Sequence, residues 1–325
     1  MKILVAGGAG FIGSHYVRTL LAGGYPGYED ARVTVLDKLT YAGNLANLDP
    51  VTDQERFTFV RGDICDAQLL ASVVPGHDAV INFAAETHVD RSIADAPDFV
   101  AANVAGVQVL LDACLAAGVR RVVQVSTDEV YGSLATGAWR EDAMLEPNSP
   151  YAAAKAGGDL MARAYARTHG LHVSVTRCCN NYGPYQFPEK VIPLFVTNLL
   201  DGKKVPLYGD GLNVRDWCFV EDNCAGVDLV LRAGTVGEIY NIGAGNEVPN
   251  RFLTDSILEI LGHDESMIDY VEDRLGHDRR YSIDISKVRA LGWTPRREFR
   301  EALEATVAWY RDNRSWWEPL KLRTE

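Results

Sequence analysis

The sequence has few of the features that mark exported, membrane-bound or disulfide-bonded proteins. No run of residues approaches the roughly 18 consecutive apolar side chains that a membrane-spanning helix requires. Met1 and Lys2 lead straight into an apolar strand pattern, without the charged and apolar regions of a signal peptide. The six cysteines form neither a CxxC pair nor a metal-type spacing, so we expect reduced thiols and no bound metal. These absences predict a cytoplasmic protein that has no membrane partner.

An excess of positive charge is also missing. The chain carries 44 acidic and 32 basic side chains, which gives a formal net charge of -12. This balance argues against binding to nucleic acid, because phosphate backbones are bound through clustered lysine and arginine. It does not exclude a small anionic ligand, which responds to the cations nearest to it. With 325 residues, 47% of them hydrophobic, the chain can bury a large core, and we expect two lobes.

A glycine-rich turn joins the first predicted strand to the first predicted helix. The apolar residues 3–6 are followed by GGAGFIG at 7–13, and helical periodicity then continues to Leu21. Bare backbone at such a turn lets a pyrophosphate approach the amide groups of a helix N-terminus. A purely structural glycine turn is the alternative.

A second predicted strand, residues 33–36, ends at Asp37. A carboxylate at this position can accept hydrogen bonds from both ribose hydroxyls and repels a 2′-phosphate, which favours NAD over NADP. Asp63 follows the third strand and could reach the adenine amino group, although it could equally cap a loop.

Strand and helix patterns alternate through about residue 178. Further strand patterns occupy residues 57–60, 79–83, 122–125 and 173–176, and a helical pattern occupies residues 103–117. The alternation predicts an α/β fold, a doubly wound parallel Rossmann sheet with a ligand at the carboxyl ends of its strands. We predict an NAD-binding Rossmann domain at 1–178 and a smaller α/β substrate-binding lobe at 179–325, with a segment near 215–242 returning to the first domain. Residues 177–188 are predicted to be an irregular loop, and residues 253–261 and 299–309 amphipathic helices.

Two acidic residues follow the strand at 122–125. Asp128 and Glu129 stand where such a strand meets a pocket, although a solvated loop is the ordinary interpretation of an Asp-Glu pair. Tyr151 and Lys155 are four residues apart behind Ser149-Pro150, a typical helix start, and at that spacing they share one helix face. An ammonium close to the phenol is predicted to lower the pKa of Tyr151 and to make it a base for an alcohol proton.

The motifs of the chain can be read together. They are GGAGFIGS from Gly7, DKLTYAGN from Asp37, ETHVDRS from Glu86, STDEVYG from Ser126, YxxxK from Tyr151, NNYGPYQFPEK from Asn180, YGDGLNVRDW from Tyr208 and DRLGHDRRY from Asp273. Over nearly the whole chain they resemble the extended short-chain dehydrogenase/reductase family, and within it the dTDP-glucose 4,6-dehydratases. Two positions depart from that pattern: Leu275 stands where proline is usual, and Asn213-Val214 precedes Arg215 where other residues are common.

The resemblance implies a reaction with three stages, which are oxidation at C4 of the sugar, loss of water across C5 and C6, and return of the hydride to C6. Tyr151, held by Lys155, would take the C4 hydroxyl proton, and Thr127 would hydrogen-bond the same oxygen. Glu129 would remove the acidified C5 proton, and protonated Asp128 would deliver a proton to the departing C6 hydroxyl. Two carboxyl groups so close do not both ionise easily, which suits one acid and one base.

The same resemblance implies the binding residues. NAD would be bound by Gly7, Gly10, Phe11, Ile12, Gly13, Asp37, Lys38, Leu39, Thr40, Asp63, Ile64, Phe83, Ala84, Ala85, Thr87, Ala102, Tyr151, Lys155 and Asn181. The dTDP-glucose substrate would be bound by Thr87, Thr127, Asn180, Lys190, Val191, Pro206, Leu207, Tyr208, Arg215, Asn250, Asp273, Arg274 and His277. The cations of the second set supply the local positive charge that a diphosphate needs, and thymine could stack on Tyr208 or pack beneath Pro206 and Leu207.

Two predicted helices bear on the oligomeric state. Helices over 103–117 and 152–165 are rich in alanine and glycine, and the resemblance implies a homodimer through a four-helix bundle.

A nucleotide-sugar 4-epimerase would share the fold, NAD and YxxxK without needing Asp128 and Glu129. A GDP- or CDP-sugar dehydratase would change the base pocket, and a catalytically silent NAD-binding regulator would not need the catalytic set.

Overall fold

The computed structural model of the chain describes residues 1–322. Its strands are β1 (Lys2–Ala6), β2 (Arg32–Asp37), β3 (Phe57–Arg61), β4 (Ala79–Asn82), β5 (Arg121–Thr127), β6 (Val173–Cys178), β7 (Asn180–Tyr182), β8 (Val205–Tyr208), β9 (Val214–Phe219), β10 (Ile239–Ile242), β11 (Glu247–Pro249) and β12 (Ile268–Val271). Its helices are α1 (Phe11–Leu21), α2 (Ala67–Val73), α3 (Val89–Ala94), α4 (Pro97–Val100), α5 (Gly106–Ala117), α6 (Pro150–His169), α7 (Val191–Leu200), α8 (Val220–Ala233), α9 (Asn250–Leu261), α10 (Ser286–Ala290), α11 (Phe299–Asp312) and α12 (Arg314–Lys321).

Seven parallel strands form the central sheet, in the order β10-β6-β5-β4-β1-β2-β3. Its inner strands are short apolar runs that are buried on both faces, as parallel sheets require when helices cover them. One hydrophobic cluster lies on each face of this sheet. The predicted doubly wound Rossmann sheet is confirmed.

A smaller lobe contains two further sheets, β11-β9-β7 and β12-β8. A third hydrophobic cluster joins them to α7, α9 and α11. The two helices predicted at 253–261 and 299–309 are present as α9 and α11.

Three details differ from the sequence-based prediction or extend it. Residues 177–178 complete β6 and residues 180–182 form β7, so the loop predicted for 177–188 is wrong there, because backbone pairing with β5 and β9 orders this polar stretch. A π-helical turn at Ala101–Ala105 precedes α5. The strand β10 pairs with β6 in the large sheet. The domain boundary at 178 stays a prediction, and residues 323–325 of the predicted second lobe lie outside the described residues.

Candidate active site

The turn after β1 forms a cradle of bare backbone. Gly7 has φ +72°, and a Cβ atom there would lie 2.4 Å from the backbone nitrogen of Ala84. A Cβ on Gly13 would lie 2.4 Å from the carbonyl oxygen of Gly7. Helix α1 begins after Gly10 and has no side-chain cap, so its first amide groups are available to an anion. These observations fit a dinucleotide pyrophosphate.

Asp37 closes the same edge of the sheet at the end of β2. Its Oδ2 accepts from the Ala9 amide at 2.9 Å and its Oδ1 from the Leu39 amide at 2.8 Å. Burial raises its pKa, and these two amides oppose the rise. The two bonds fix the carboxylate plane at the mouth of the cleft and leave lone pairs for ribose hydroxyls, which is the arrangement that an NAD ribose needs.

One cleft runs from this cradle to the start of α7. The predicted cofactor residues that line it are Gly7, Gly10, Phe11, Ile12, Gly13, Asp37, Lys38, Thr40, Asp63, Ile64, Phe83, Ala84, Ala85, Thr87, Ala102, Tyr151, Lys155 and Asn181. Leu39 is missing from this lining; it has φ +58° and presents its amide to Asp37 instead. Asp63 also caps a turn, because its Oδ1 accepts from the Cys65 amide at 2.9 Å.

The carboxyl end of β5 supplies the acidic part of the cleft. Thr127 is the last residue of the strand, and a 3-10 turn over Asp128–Tyr131 follows it. The Thr127 hydroxyl accepts from the Glu129 amide at 3.2 Å and donates to Asp128 Oδ1 at 3.3 Å. Side chains of Thr127, Asp128 and Glu129 therefore meet in the cleft, as the sequence predicted.

The two carboxyl groups have unequal surroundings. Burial, then the charges of Glu129 and Asp216, raise the pKa of Asp128 well above its ordinary value. Asp128 is 2% exposed, and its Oδ2 finds no hydrogen-bond partner among the described residues. Burial also raises the pKa of Glu129, but Arg274, Arg215 and Lys190 oppose that rise. At Asp128 the opposing charge of Arg215 is smaller than those of the two acids, whereas three cations oppose the rise at Glu129. The surroundings therefore favour a proton on Asp128 more than on Glu129.

Helix α6 brings Tyr151 and Lys155 to these acids. Ser149 caps the helix by accepting from the Ala152 amide at 3.1 Å, and Pro150 occupies its first position. Tyr151 thus lies in the first turn and Lys155 one turn later, and both are buried and line the cleft.

The direction predicted for the Tyr151 pKa is wrong. Burial and the charge of Glu129 raise the pKa of Tyr151 well above its ordinary value. The Lys155 ammonium donates to the carbonyl of Val125 at 2.6 Å, and burial lowers its own pKa. The sequence spacing places the two side chains on one face, but it contains no information about burial or about this carbonyl.

Three cations, Lys190, Arg215 and Arg274, act electrostatically on Glu129, and Lys190 is the one among them that lines the cleft. The Lys190 ammonium donates to the carbonyl of Thr87 at 2.9 Å. The Arg215 guanidinium is 4% exposed, lies 4.2 Å from the Tyr281 ring centroid and donates to the carbonyl of Asp278 at 2.8 Å. The Nε of Arg274 is buried without a hydrogen-bond partner within residues 1–322. Cationic donors of this kind are the groups that bind a diphosphate, and their role in binding the substrate stays a prediction.

The remaining predicted substrate residues form two groups. Asn180 lines the cleft together with Lys190. The residues that do not line it are Val191, Pro206, Leu207, Tyr208, Arg215, Asn250, Asp273, Arg274 and His277. Among these, His277 Nδ1 lies 2.5 Å from Asp273 Oδ1, and its ring meets the Tyr208 ring edge-on at 6.1 Å. Leu207 is 2% exposed within the core of the small lobe, so its side chain cannot pack beneath thymine.

Several lining residues were not singled out from the sequence. Glu86, Gln186, Phe187 and Glu189 face the cleft. Glu189 accepts from the Arg91 guanidinium at 3.1 Å. Glu86 and the other three lie inside the motifs beginning at 86 and 180, so the motifs contained the signal.

The chain is similar to known sugar-nucleotide dehydratases over nearly its whole length. A family model described as GDP-mannose 4,6 dehydratase matches residues 4–306. A dTDP-glucose 4,6-dehydratase of Streptomyces antibioticus is 59% identical over 325 residues, covering 99% of this chain and 96% of that protein. The crystal structure of DesIV (dTDP-glucose 4,6-dehydratase) from Streptomyces venezuelae, with NAD and TYD bound, has a TM-score of 0.97 and 61% identity over 98% of this chain and 100% of that one. A dTDP-glucose 4,6-dehydratase from Bacillus anthracis in complex with NAD has a TM-score of 0.91 and 48% identity over 98% and 99% of the two chains.

Proposed function

This chain belongs to the GDP-mannose 4,6 dehydratase family, within the extended short-chain dehydrogenases/reductases, and on that premise we propose how its residues act as a dTDP-glucose 4,6-dehydratase. It is a hydro-lyase of deoxysugar biosynthesis that uses NAD and gives dTDP-4-keto-6-deoxyglucose. One observation carries the assignment of roles: buried Asp128 and half-buried Glu129 adjoin Tyr151 and Lys155 in a single cleft that begins at the glycine cradle.

The cofactor site is assigned to the cradle and the end of β2. The pyrophosphate is bound at the amides that begin α1, and the ribose at Asp37. NAD, when bound, accepts a hydride from C4, returns it to C6 and brings a positive ring charge that favours the Tyr151 phenolate. Asp37 disfavours NADP, which also separates this chain from an NADP-dependent GDP-mannose enzyme.

Tyr151 and Thr127 act on the C4 oxygen. Tyr151 takes the proton of the C4 hydroxyl, and the Thr127 hydroxyl hydrogen-bonds the same atom. Lys155, which donates to the Val125 carbonyl and lines the same cleft, contributes positive charge near Tyr151.

Glu129 and Asp128 carry out the elimination. A ketone at C4 acidifies the C5 proton, which Glu129 removes as a carboxylate. Asp128 gives its proton to the C6 hydroxyl, which leaves as water while the C5–C6 double bond forms. The raised pKa of Asp128 favours the protonated form that this step requires.

The experiment that tests this function supplies purified protein with dTDP-glucose deuterated at C4. No NAD is added. Mass spectrometry and proton NMR should find loss of water with deuterium at C6, which requires intramolecular hydride transfer and a resident NAD. A C4 epimer without loss of water would instead establish the 4-epimerase and remove the roles of Asp128 and Glu129. No reaction with this substrate, even with NAD supplied, would contradict the proposal.

A homodimer through a four-helix bundle is proposed from one surface. Pro97–Ala117 is long and apolar enough to cross a membrane by length and composition, with a mean hydropathy of 1.8, and 44% of it is buried in the fold. It packs on α6 at the close contact between Val104 and Gly157. Val100 and Leu160 remain 53% and 54% exposed on these helices. A second copy would cover this apolar side, which suits a cytoplasmic dimer better than a membrane span.

Size measurement tests the dimer. The parent protein should be a dimer at micromolar concentration, and Leu160→Lys should shift it towards monomer. Met144→Lys is the matched control, because Met144 is 76% exposed and lies outside these helices. A parent chain that is monomeric at micromolar concentration would overturn this proposal.

A further inference from the structure

One buried residue beside the glycine cradle has no role in the chemistry above. Asn47 is 1% exposed and ends a 3-10 turn over Leu45–Asn47, just after the DKLTYAGN stretch. Its Nδ2 donates to the carbonyl of Ala9 at 2.9 Å, and the Asn44 amide donates to the same oxygen at 3.1 Å. The Ala9 amide in turn donates to Asp37 at 2.9 Å. The Ala9 residue, between Gly7 and Gly10, is therefore held by hydrogen bonds at both its amide and its carbonyl.

The second partner of the Asn47 side chain comes from α12, the last helix among the described residues. The indole Nε1 of Trp316, in α12, donates to Asn47 Oδ1 at 3.0 Å. The Trp316 ring meets Trp309 of α11 at 5.1 Å, and both helices border the core of the small lobe. A single amide side chain thus connects the small lobe to the loop that binds the pyrophosphate.

A second connection runs beside the first. Arg18 of α1 donates to the Asn47 carbonyl at 2.5 Å, and its guanidinium lies 4.1 Å from the Tyr185 ring centroid. Tyr185 has φ +68°, a left-handed conformation that a bulky residue adopts only when its surroundings impose it. Its ring lies 4.6 Å from Trp309. Helix α1, whose N-terminus faces the cofactor, is therefore also held from the small lobe.

We propose that Asn47 and Trp316 are positioning residues for the cofactor. They hold the Ala9 carbonyl from α12, so the amides of the phosphate-binding loop are fixed before NAD arrives and less freedom is lost on binding. Retention of NAD then depends on a helix that contributes nothing to the lining of the cleft within residues 1–322. The inference rests on the proposed use of NAD.

The test compares two neighbouring tryptophans. Trp316→Phe keeps the ring packing and removes the donor to Asn47. Trp317→Phe is the matched control, because the Trp317 Nε1 donates to the Tyr310 carbonyl at 2.7 Å, within the small lobe. For each purified protein, the readouts are the bound NAD after denaturation, the rate of NAD release, the Kd of stripped protein for NAD, and the melting temperature. Removal of one net hydrogen bond corresponds to about 2- to 10-fold in Kd.

We expect Trp316→Phe to weaken NAD binding by about 2- to 10-fold and Asn47→Ala by about 10-fold or more, with Trp317→Phe within about twofold of the parent. With NAD saturating, KM for dTDP-glucose should stay at the parent value. Equal NAD affinity in Trp316→Phe and the parent would overturn the inference, as would an equal loss in both tryptophan variants, which a merely structural role predicts. If the parent itself binds no NAD, the proposed function fails first.

Discussion

Replacement of Asp128 by asparagine tests the division of labour between the two acids. The side chain is 2% exposed, its Oδ1 bonds the Thr127 hydroxyl, and its Oδ2 has no hydrogen-bond partner among residues 1–322. An asparagine keeps the shape and the bond to Thr127, and its amide occupies a position that already lacks a partner. We therefore expect the free energy of unfolding to change by no more than about 1 kcal/mol.

The chemical loss should be much larger. General acids contribute about 10² to 10⁴-fold to rate, or about 2.7 to 5.5 kcal/mol of the barrier. Water cannot replace a group that is 2% exposed, so we expect Asp128→Asn to lower kcat by at least about 100-fold. Oxidation at C4 precedes the need for this proton and should remain fast. The enzyme-bound cofactor should then accumulate as NADH.

The assay follows absorbance at 340 nm after mixing enzyme with dTDP-glucose, together with product by mass spectrometry. Exchange of the C5 proton with deuterated water separates the two acids. Asp128→Asn should still exchange this proton, because Glu129 remains; Glu129→Gln should not. Unchanged turnover in Asp128→Asn, or loss of C5 exchange in that variant alone, would refute the assignment.

Three further predictions follow from individual contacts. Gly7→Ala should abolish NAD retention, because its Cβ would lie 2.4 Å from the Ala84 nitrogen. Gly27 is also at positive φ (+84°), but a Cβ there would have nothing within 4 Å, so the control Gly27→Ala should retain NAD. Calorimetric titration with NAD checks both variants. Burial lowers the pKa of His15 to about 4, so between pH 6.5 and 4 the folded state binds fewer protons than the unfolded state, and stability falls as pH falls. Urea unfolding at pH 7 and at pH 4 checks this: between the two pH values, the free energy of unfolding should fall by up to about 3 kcal/mol less in His15→Gln than in the parent. Arg274 opposes the raised pKa of Glu129, so Arg274→Gln should move the acidic limb of the kcat/KM pH profile to higher pH. The control Arg279→Gln, which removes an exposed ion pair with Asp210, should leave that limb in place. An unshifted limb in Arg274→Gln would contradict the electrostatic role of Arg274.

Much of the fold followed from local patterns. Parallel strands buried on both faces are read directly as short apolar runs, and β1 to β6 appear where those runs lie. Helix α6 begins at the predicted Ser149-Pro150 cap because a side-chain oxygen and a fixed proline φ are local properties. The segment 177–182 was misjudged because its polar residues are ordered by pairing with β5 and β9, strands from elsewhere in the chain.

The sequence by itself determined the glycine turn, the strand end at Asp37 and the family, and it predicted the catalytic set, since these depend on residue types at fixed spacings. Only the tertiary structure decided the electrostatics. The pKa of Tyr151 rises although a lysine follows it by four residues, because the fold buries the phenol beside Glu129. The Lys155 ammonium itself donates to the Val125 carbonyl. The contact between Asn47 and Trp316 joins residues 269 apart in the chain. Desolvation and contacts of this kind depend on what the rest of the chain places around a group, and no local pattern contains that information.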